Sequence, residues 1–512
     1  MAQGVFDFHY LRETGQNGMT SLAGLPAWLE LGQVLGLTEA IERHVRLRQA
    51  SQGYSDRQMV MAGIMLNLAG GDCVDDLMRL EEDEGFCRIL QRVETHGMSR
   101  AARRAQERRW RKERKQTVPS PSSMRRYLSG FCSPEEAEPR QAGVARSLAP
   151  SEGLSGLHRA NADLVAGVLA RNPLETVTLD QDATLIEVEK KEALMCYKGF
   201  PAFQPTNVWL AELRMMLYSE FREGNVPAGS GNLRVLQDAL RLLPEGVKEV
   251  QFRSDTAAYE VDLLRYMAEG QDPRFGVIKF AVGADVTPAL REEVARMAEA
   301  DWKPLRRWSE KTKTWQETGQ EWGEVVFVPK WAAHSLKNPA YRFVVVRECL
   351  SQQPLPGTAE QLTFPFPTME FGSKGLYKLH AVITNHTVAG DEIVWWYRER
   401  CGRSEEAHSI LKEDLAGGRL PSKYFGVNAA WWMLAVMAMN LDSAMRRLVL
   451  GKLDETWLSR RMKAVRFLVL GLPGRVVEHA RDLWIRVSAG RGGNLLCAMR
   501  GLIKGLVRGA PA

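Results

Sequence analysis

Hydrophobic and polar residues alternate most clearly in the segment ETVTLDQDATLIEV, residues 175–188. Val177 and Leu179 alternate there with polar residues, and this period of two is typical of a half-buried β-strand. Asp180 and Asp182 lie two positions apart in the same strand. Their side chains are therefore expected to point to one face.

The pattern that follows predicts four more strands and two helices. The strands are expected at Asn207–Leu213, Met215–Phe221, Val247–Asp255 and Phe275–Val282, and the helices at Leu233–Leu243 and Ala257–Ala268. The order is three strands, then helix, strand, helix and strand, which is that of a ribonuclease-H-like domain. We therefore predict a mixed α/β fold with a ribonuclease-H-like core.

Helical patterns flank this core. In the amino-terminal part, Ser55 is a plausible N-cap for a helix over Asp56–Ala69, since its side chain can accept from the first free backbone amides. The segment Ser99–Gln116 carries nine Lys or Arg against two Glu and is followed by the breaker-rich VPSPSS. Such runs are often simply solvated, and we weigh DNA contact by this basic arm about equally with that interpretation.

The remaining patterns complete the division of the chain. Trp-rich, Pro-punctuated strands dominate residues 301–380, and helical character returns from Asp391. We therefore expect a helical amino-terminal region (1–98), a basic arm and hinge (99–126), the first part of the core (127–300), a β-rich insertion (301–380), the second part of the core (381–450) and a helical carboxy-terminal region (451–512).

Composition narrows the class of protein. The chain has 512 residues, 45% hydrophobic and 25% charged, with a net charge of +6, which leans weakly toward a polyanionic partner. Its seven cysteines include no CxxC pair, so neither a zinc cage nor a disulfide framework is indicated. No signal peptide is apparent, and the most apolar stretch, Ala429–Met439, is too short to span a bilayer. A cytoplasmic protein is expected.

Three acidic residues lie on separate predicted elements. Asp182 lies on the first strand, Asp255 ends the fourth, and Glu405 lies on a late helix. Two Mg²⁺ ions about 3.5–4 Å apart can activate a nucleophile and stabilise the leaving oxygen of a phosphodiester. Because Mg²⁺ prefers carboxylate oxygens, these three residues are candidate ligands for such a pair.

The phrases around these acids carry a family resemblance. LDQDAT at 179–184, FRSDTAAY at 252–259 and YRERCGRSEEAHSILK at 397–412 resemble the three acidic motifs of bacterial insertion-sequence DDE transposases with a β-insertion before the glutamate. The resemblance extends over about residues 20 to 450. It implies that Asp182, Asp255 and Glu405 are the catalytic, metal-binding residues of the core.

In that family the third motif is Tyr, two residues, Arg, three residues, Glu, six residues, Lys. Tyr397 and Arg400 match the first pair, and Glu405 and Lys412 match the second, but a strict count from Arg400 reaches Ser404. On a continuous helix, residues seven apart share a line, which would align Arg398 with Glu405. Both arginines therefore remain candidates, and the resemblance implies that Tyr397, one arginine and Lys412 bind DNA phosphates.

Each of the three acidic residues has an alternative interpretation. Asp180 could be the ligand in place of Asp182, and Glu406 in place of Glu405, while Asp255 could serve only as a helix N-cap. His408 is more readily interpreted as a helix-surface or supporting residue than as a metal ligand. In related enzymes an insertion aromatic stacks on a flipped base, and spacing does not choose among Trp302, Trp308, Trp315, Trp322 and Trp331.

The resemblance also implies partners and a reaction. We expect a bacterial, cytoplasmic, nucleoid-associated transposase that uses two Mg²⁺ ions, for which Mn²⁺ can substitute, and that binds terminal inverted repeats and target DNA as a homodimer in a synaptic complex. Cleavage would free the 3′ ends, with hairpin intermediates, before strand transfer. The alternatives are a metal-dependent nuclease without strand transfer and an inactive, DNA-binding relative.

Overall fold

The computed structural model describes residues 18–48, 53–113, 116–137, 144–145, 148–190, 192–332, 341–350, 364–371, 375–479 and 482–508. Its amino-terminal part is mainly helical. The elements are β1 (Met19–Thr20), α1 (Leu25–Val34), α2 (Leu37–His44), α3 (Asp56–Ala69), α4 (Leu77–Glu82), α5 (Glu84–Glu94), α6 (Arg100–Glu113), α7 (Pro121–Ser129) and α8 (Glu152–Leu169).

The predicted cap of α3 is confirmed. The Ser55 side chain accepts from the backbone amide of Gln58, and the Gln58 side chain accepts in return from the Ser55 amide. The helix ends at Gly70, whose φ of 96° lies in the left-handed region that glycine adopts without strain. Local sequence therefore determines both ends of this helix.

The core has the strand order of a ribonuclease-H-like fold. Its elements are β2 (Thr176–Ala183), β3 (Ile186–Glu187), β4 (Leu194–Met195), β5 (Pro201–Phe203), β6 (Thr206–Leu210), β7 (Met215–Glu220), α9 (Asn232–Arg241), β8 (Glu249–Ser254), α10 (Val261–Ala268), β9 (Lys279–Ala284) and α11 (Pro288–Arg296). The sheet runs β7–β6–β2–β8–β9, with β2, β8 and β9 parallel and β6 and β7 antiparallel. The predicted fold class is confirmed.

The tryptophan-rich strands extend the core sheet. They are β10 (Lys303–Ser309), β11 (Thr314–Val325), β12 (Arg342–Cys349), β13 (Thr368–Glu370) and β14 (Leu376–Thr384). Strand β14 pairs antiparallel with β9, so that one ten-stranded sheet continues through β12 and β11 to β10. The insertion is thus joined to the core through backbone hydrogen bonds as well as through side chains.

The carboxy-terminal part packs against the core and against the amino-terminal helices. Its elements are α12 (Gly390–Arg398), α13 (Arg403–Ser409), α14 (Phe425–Met445), α15 (Gly451–Leu453), α16 (Met462–Val465), β15 (Gly474–His479), β16 (Asp482–Val487) and α17 (Arg491–Arg508). Helix α14 is buried almost all round, and it packs against α3, α8 and β7. None of the described helices combines the length and hydrophobicity that crossing a membrane requires.

One carboxy-terminal feature was not expected from the sequence. Strands β15 and β16 form a hairpin, and β15 also pairs with β1 from the beginning of the chain. In these two strands, Val476 is the only fully buried residue with a side chain larger than that of glycine. Strands with so few buried positions show only a weak alternation of hydrophobic and polar residues. The partner strand β1 is too far away in sequence for a local pattern to reveal it.

Candidate active site

A cavity of about 460 Å³ opens at the end of the core sheet. Asp182 at the end of β2, Asp255 directly after β8 and Glu405 in the first turn of α13 all line it. Because β2 and β8 are parallel neighbours, their carboxyl ends meet at one edge. The three predicted acids, far apart in sequence, therefore face one space.

The structure separates Asp180 from Asp182. Asp180 is 2% exposed, and both its oxygens accept from Arg253, from Nε at 2.7 Å and Nη2 at 3.0 Å. The third nitrogen of Arg253 donates to the Trp396 carbonyl and to Glu399. Both oxygens of Asp180 are therefore engaged in a bidentate ion pair that links β2 to β8 and α12. Asp182, in contrast, lines the cavity.

Asp182 lies in an electrostatically crowded position. Burial raises the pKa of its carboxyl to about 7; Arg400 opposes this shift, and the charges of Asp255 and Glu405 add to it. The guanidinium of Arg400 lies beside it, with Nη2 3.7 Å from Oδ2 of Asp182. Two further carboxylates raise this pKa because each disfavours another negative charge nearby.

Asp255 serves two roles in the structure. Its Oδ1 accepts from the backbone amide of Ala257 at 3.1 Å, which is the N-cap interaction considered as an alternative. The same side chain lines the cavity. The two interpretations are compatible, because a carboxylate has a second oxygen and further lone pairs.

Glu405 and Glu406 differ in where they face. Glu405 lines the cavity, and its Oε2 accepts from the backbone amide of Gly402 at 2.6 Å. Glu406 is exposed and is not one of the residues that line the cavity. The structure therefore brings Glu405, not its neighbour, to Asp182 and Asp255.

The helix preceding Glu405 is broken, and the break places the two candidate arginines in different surroundings. Helix α12 ends at Arg398 and α13 begins at Arg403, and between them Gly402 adopts a φ of 78°. Arg400 is thereby buried beside Asp182. Arg398 instead donates to Gln320 of β11 at 2.8 Å. The expected helical alignment of Arg398 with Glu405 does not occur, because the helix is not continuous.

Lys412 lines the cavity, but it does not align with Glu405 on one continuous α-helix as expected. The chain forms a π-helical turn at Ile410–Asp414, so a seven-residue spacing on an ordinary helix no longer describes Glu405 and Lys412. The ammonium of Lys412 donates to Thr184 Oγ1 at 3.1 Å and to the Leu185 carbonyl at 3.3 Å. It remains among the residues that line the cavity.

Tyr397 lies one layer behind these residues. It is buried between His380, whose ring centroid lies 5.4 Å away, and Arg400, whose guanidinium is 5.8 Å from the Tyr397 ring. Burial raises the pKa of its hydroxyl to about 12; Arg400 opposes the shift, and Asp255 adds to it. Tyr397 is not among the residues that line the cavity.

His408 is more central than the sequence indicated. It is buried, lines the cavity and is hydrogen-bonded to Asn207 of β6 at 3.1 Å. It is therefore not a helix-surface residue. Its position three residues after Glu405 was the only local signal, since two residues three apart share one face of a helix, and Asn207 gave no signal at all.

The carboxylates that line the cavity are the type of ligand that a hard divalent cation prefers. Three carboxylates face one space, and mutual repulsion helps to raise the pKa of Asp182; a cation among them would relieve that repulsion. In the described part of the chain, no three His, Cys, Asp or Glu side chains are already gathered closely enough to hold a metal ion. The carboxylates would have to draw together around it.

One comparison with known proteins identifies a family. A family model described as transposase DDE domain group 1 matches residues 10–493. No curated protein matches the sequence. Among solved structures, the cryo-EM structure of a piggyBac transposase synaptic complex with hairpin DNA aligns with a TM-score of 0.40 and 10% identity, over 96% of this chain and 81% of that chain.

Proposed function

Since the chain belongs to the DDE transposases, in the family described as transposase DDE domain group 1, we propose that it cleaves the ends of a mobile DNA element and joins their 3′-hydroxyls to target DNA. The observation that carries this proposal is the shared cavity of Asp182, Asp255 and Glu405. These residues come from the ends of two parallel strands and from a helix much later in the chain. No local structural requirement accounts for all three acids at one edge.

DDE transposases generally use divalent metals, and Asp182, Asp255 and Glu405 are the residues that would hold them here. Two bound Mg²⁺ ions, or Mn²⁺ in their place, would supply the activation of the nucleophile and the stabilisation of the leaving oxygen. The framework of β2, β8 and α13 presets the direction from which each carboxylate approaches. Asp182 would bind a cation in its ionised form.

Cationic side chains at the cavity would hold the DNA backbone. Lys412 lines the cavity, and Arg400 lies directly behind Asp182; both can donate to phosphate oxygens. Arg398 is engaged by Gln320, and we assign it to positioning the insertion. We assign Tyr397 to supporting Arg400, because its ring packs beside that guanidinium.

The substrates would be the terminal inverted repeats of the element, followed by target DNA. Both ends of the element must be cut and then joined to the same target DNA, which favours a homodimer in a synaptic complex. Because these substrates would lie in the nucleoid, we propose a bacterial cytoplasmic location. The piggyBac neighbour was solved as a synaptic complex with hairpin DNA. Hairpin intermediates are part of our proposal for this chain as well.

The test is cleavage of a plasmid that carries the repeats flanking the gene, with Mg²⁺ and purified protein. Asp182→Asn, Asp255→Asn and Glu405→Gln should each slow end cleavage on the order of 10⁴-fold, as when one member of a catalytic unit is removed. Glu406→Gln, on the exposed neighbour, is the matched control and should cleave normally.

The products distinguish the alternatives. Excised ends joined to target DNA support a transposase, whereas cleavage at the ends without joined product indicates a nuclease. Binding without cleavage by the unaltered protein indicates an inactive relative. Cleavage that survives Asp255→Asn would show that the site is assigned wrongly.

A further inference from the structure

A chain of four buried side chains leads from the protein interior to the cavity. Trp432 Nε1 donates to Ser219 Oγ at 2.7 Å, Ser219 Oγ donates to Asn207 Oδ1 at 2.6 Å, and Asn207 Nδ2 lies 3.1 Å from His408 Nε2. All four residues are at most 7% exposed. They come from α14, β7, β6 and α13, so the chain links four elements of the core.

The direction of the hydrogen bonds in this chain follows from matching each donor to an acceptor. An indole Nε1 can only donate, so the hydroxyl of Ser219 accepts from Trp432. Its own hydrogen has an acceptor at Asn207 Oδ1, and the opposite orientation of the Asn207 amide would leave that hydrogen without an acceptor among the described residues. The 2.6 Å distance is typical of an O–H···O bond. Asn207 therefore turns its oxygen to Ser219 and its amide nitrogen to His408.

The consequence is a single tautomer of His408. Because Asn207 Nδ2 donates, Nε2 of His408 must offer a lone pair, and the proton of the neutral ring lies on Nδ1. Burial lowers the pKa of His408 to about 3, with the charges of Lys412 and Arg400 contributing, so the ring is neutral at physiological pH. Among the described residues, none is hydrogen-bonded to Nδ1.

This arrangement also excludes His408 as a metal ligand. Coordination requires an unprotonated nitrogen with a free lone pair, and here one nitrogen is protonated while the other accepts from Asn207. A protonated imidazole would also be unfavourable, because it would pair with the carboxylates that a cation needs. A neutral N–H donor avoids both conflicts.

We propose that His408 presents its Nδ1–H to a phosphate oxygen of the DNA strand in the cavity, and that Asn207, Ser219 and Trp432 hold it in that tautomer. His408 lines the same cavity as Asp182, Asp255, Glu405 and Lys412. Asn207 is also the cross-strand neighbour of Asp182. The phosphate contact rests on the proposed function, whereas the tautomer does not.

Two substitutions separate the two ring nitrogens. His408→Gln places an amide near the position of Nε2, where its oxygen can still accept from Asn207, but it leaves no donor at the position of Nδ1. His408→Asn places a donor near the position of Nδ1 and gives up the contact to Asn207. A structural role would favour the glutamine variant, and a phosphate contact would favour the asparagine variant.

The experiment measures single-turnover cleavage of a DNA duplex bearing the flanking repeats, with Mg²⁺, after thermal unfolding has shown that both variants are folded. We expect His408→Gln to cleave about 10- to 100-fold more slowly, the effect of losing a hydrogen bond to a charged group, and His408→Asn to retain more of the rate. Equal rates for His408→Gln and the unaltered protein, or equal losses in both variants, would overturn the phosphate contact.

The tautomer is measured separately, by nitrogen NMR of the ¹⁵N-histidine-labelled full-length protein without DNA, with His408→Asn identifying the signal. We expect a protonated Nδ1 and an unprotonated Nε2. Asn207→Asp should move the proton to Nε2, because a carboxylate only accepts. A protonated Nε2 in the unaltered protein would overturn the inference. If the unaltered protein cleaves no DNA, the proposed function fails while the tautomer result still stands.

Discussion

At the scale of single residues, Asp180 and Asp182 show how two positions alter the role of one side chain. Both lie on β2 and face the same side of the sheet, yet one is closed off by Arg253 and the other lines the cavity. The difference arises from the register of β8, which places Arg253 opposite Asp180 and Ser254 opposite Gln181. Asp182 has no strand residue of β8 directly opposite, and the space beside it is the cavity.

Asp180→Asn tests this division through stability. Replacing the carboxylate by a neutral amide removes the bidentate ion pair of Arg253 and leaves this buried guanidinium with one half-exposed ionic partner, Glu399. We expect a loss of about 3 kcal/mol in the free energy of unfolding, measured by urea denaturation. Asp182→Asn is the comparison and should not lose stability in this way. A fully stable Asp180→Asn would contradict the structural role.

The pKa of Asp182 predicts a second effect on stability. In the unfolded chain its carboxyl has the ordinary pKa of 3.8, and in the folded protein the pKa is about 7. Between these values the unfolded chain releases a proton that the folded protein retains, so stability without a cation falls as pH rises. Asp182→Asn removes this loss.

We therefore expect the stability of Asp182→Asn relative to the unaltered protein to grow by about 2 to 3 kcal/mol between pH 5 and pH 8 in EDTA. Urea denaturation at the two pH values measures it. Glu406→Gln, on an exposed side chain, should show no comparable trend. Parallel pH curves for Asp182→Asn and the unaltered protein would contradict the raised pKa.

At the scale of elements, the break between α12 and α13 allows both Arg400 and Glu405 to approach Asp182. The break depends on Gly402, whose φ of 78° is unfavourable for a residue with a Cβ. A Cβ at this position would meet no atom within 4 Å. Any effect of substitution there therefore comes from the backbone conformation and not from a steric clash.

Gly402→Ala should slow DNA cleavage by about 10-fold, because a backbone cost of about 1–2 kcal/mol favours conformations that displace Arg400 from Asp182. Single-turnover cleavage measures the effect. Gly36→Ala is a matched control: its φ is 79°, a Cβ there also meets nothing within 4 Å, and it lies between α1 and α2. It should lose similar stability but keep the cleavage rate.

The β10–β11 hairpin is the second element with an expected role. Trp302 and Trp322 are buried, whereas Trp308 and Trp315 are 40% and 63% exposed and form a cross-strand pair with ring centroids 5.6 Å apart. Buried tryptophans cannot stack on a base without unfolding. The exposed pair is therefore where we expect the insertion to contact DNA.

Trp308→Ala and Trp315→Ala should each weaken binding to end-bearing DNA by about 1–3 kcal/mol if a base stacks on that ring. Fluorescence anisotropy at constant salt measures the affinity. Trp484→Ala, on the exposed face of β16, is the control for removing a surface tryptophan. Unchanged affinity in both hairpin variants would exclude this contact.

At the scale of the whole molecule, the net charge of +6 says less than its distribution. Helix α6 exposes Arg100, Arg104 and Arg108 at four-residue spacing, which places them along one face. A row of exposed guanidinium groups is suited to the DNA backbone.

We expect the double change Arg104→Gln and Arg108→Gln to reduce the dependence of DNA affinity on salt, by about 0.9 in the log–log slope for each phosphate that the protein no longer neutralises. Titrations at several salt concentrations measure the slope. Arg241→Gln, on an exposed arginine of α9 paired with Asp238, is the control. An unchanged slope would indicate that α6 is only a solvated helix.

Local sequence determined the parts of this protein whose signals lie within a few residues. The alternation in β2, the cap at Ser55 and the strand–helix order of the core follow from backbone geometry and side-chain period, which act at short range. The three acidic motifs, read through a family resemblance, indicated Asp182, Asp255 and Glu405 as candidates. The domain boundaries drawn from composition remain predictions.

Tertiary structure decided what depends on distant partners. Arg253 closes off Asp180, the break at Gly402 brings Arg400 rather than Arg398 to Asp182, and β1 pairs with β15 across almost the whole chain. Asn207 orients His408 from another strand. In each case the outcome depends on which group a side chain meets after folding, and hydrogen bonds and ion pairs act only over a few ångströms in space.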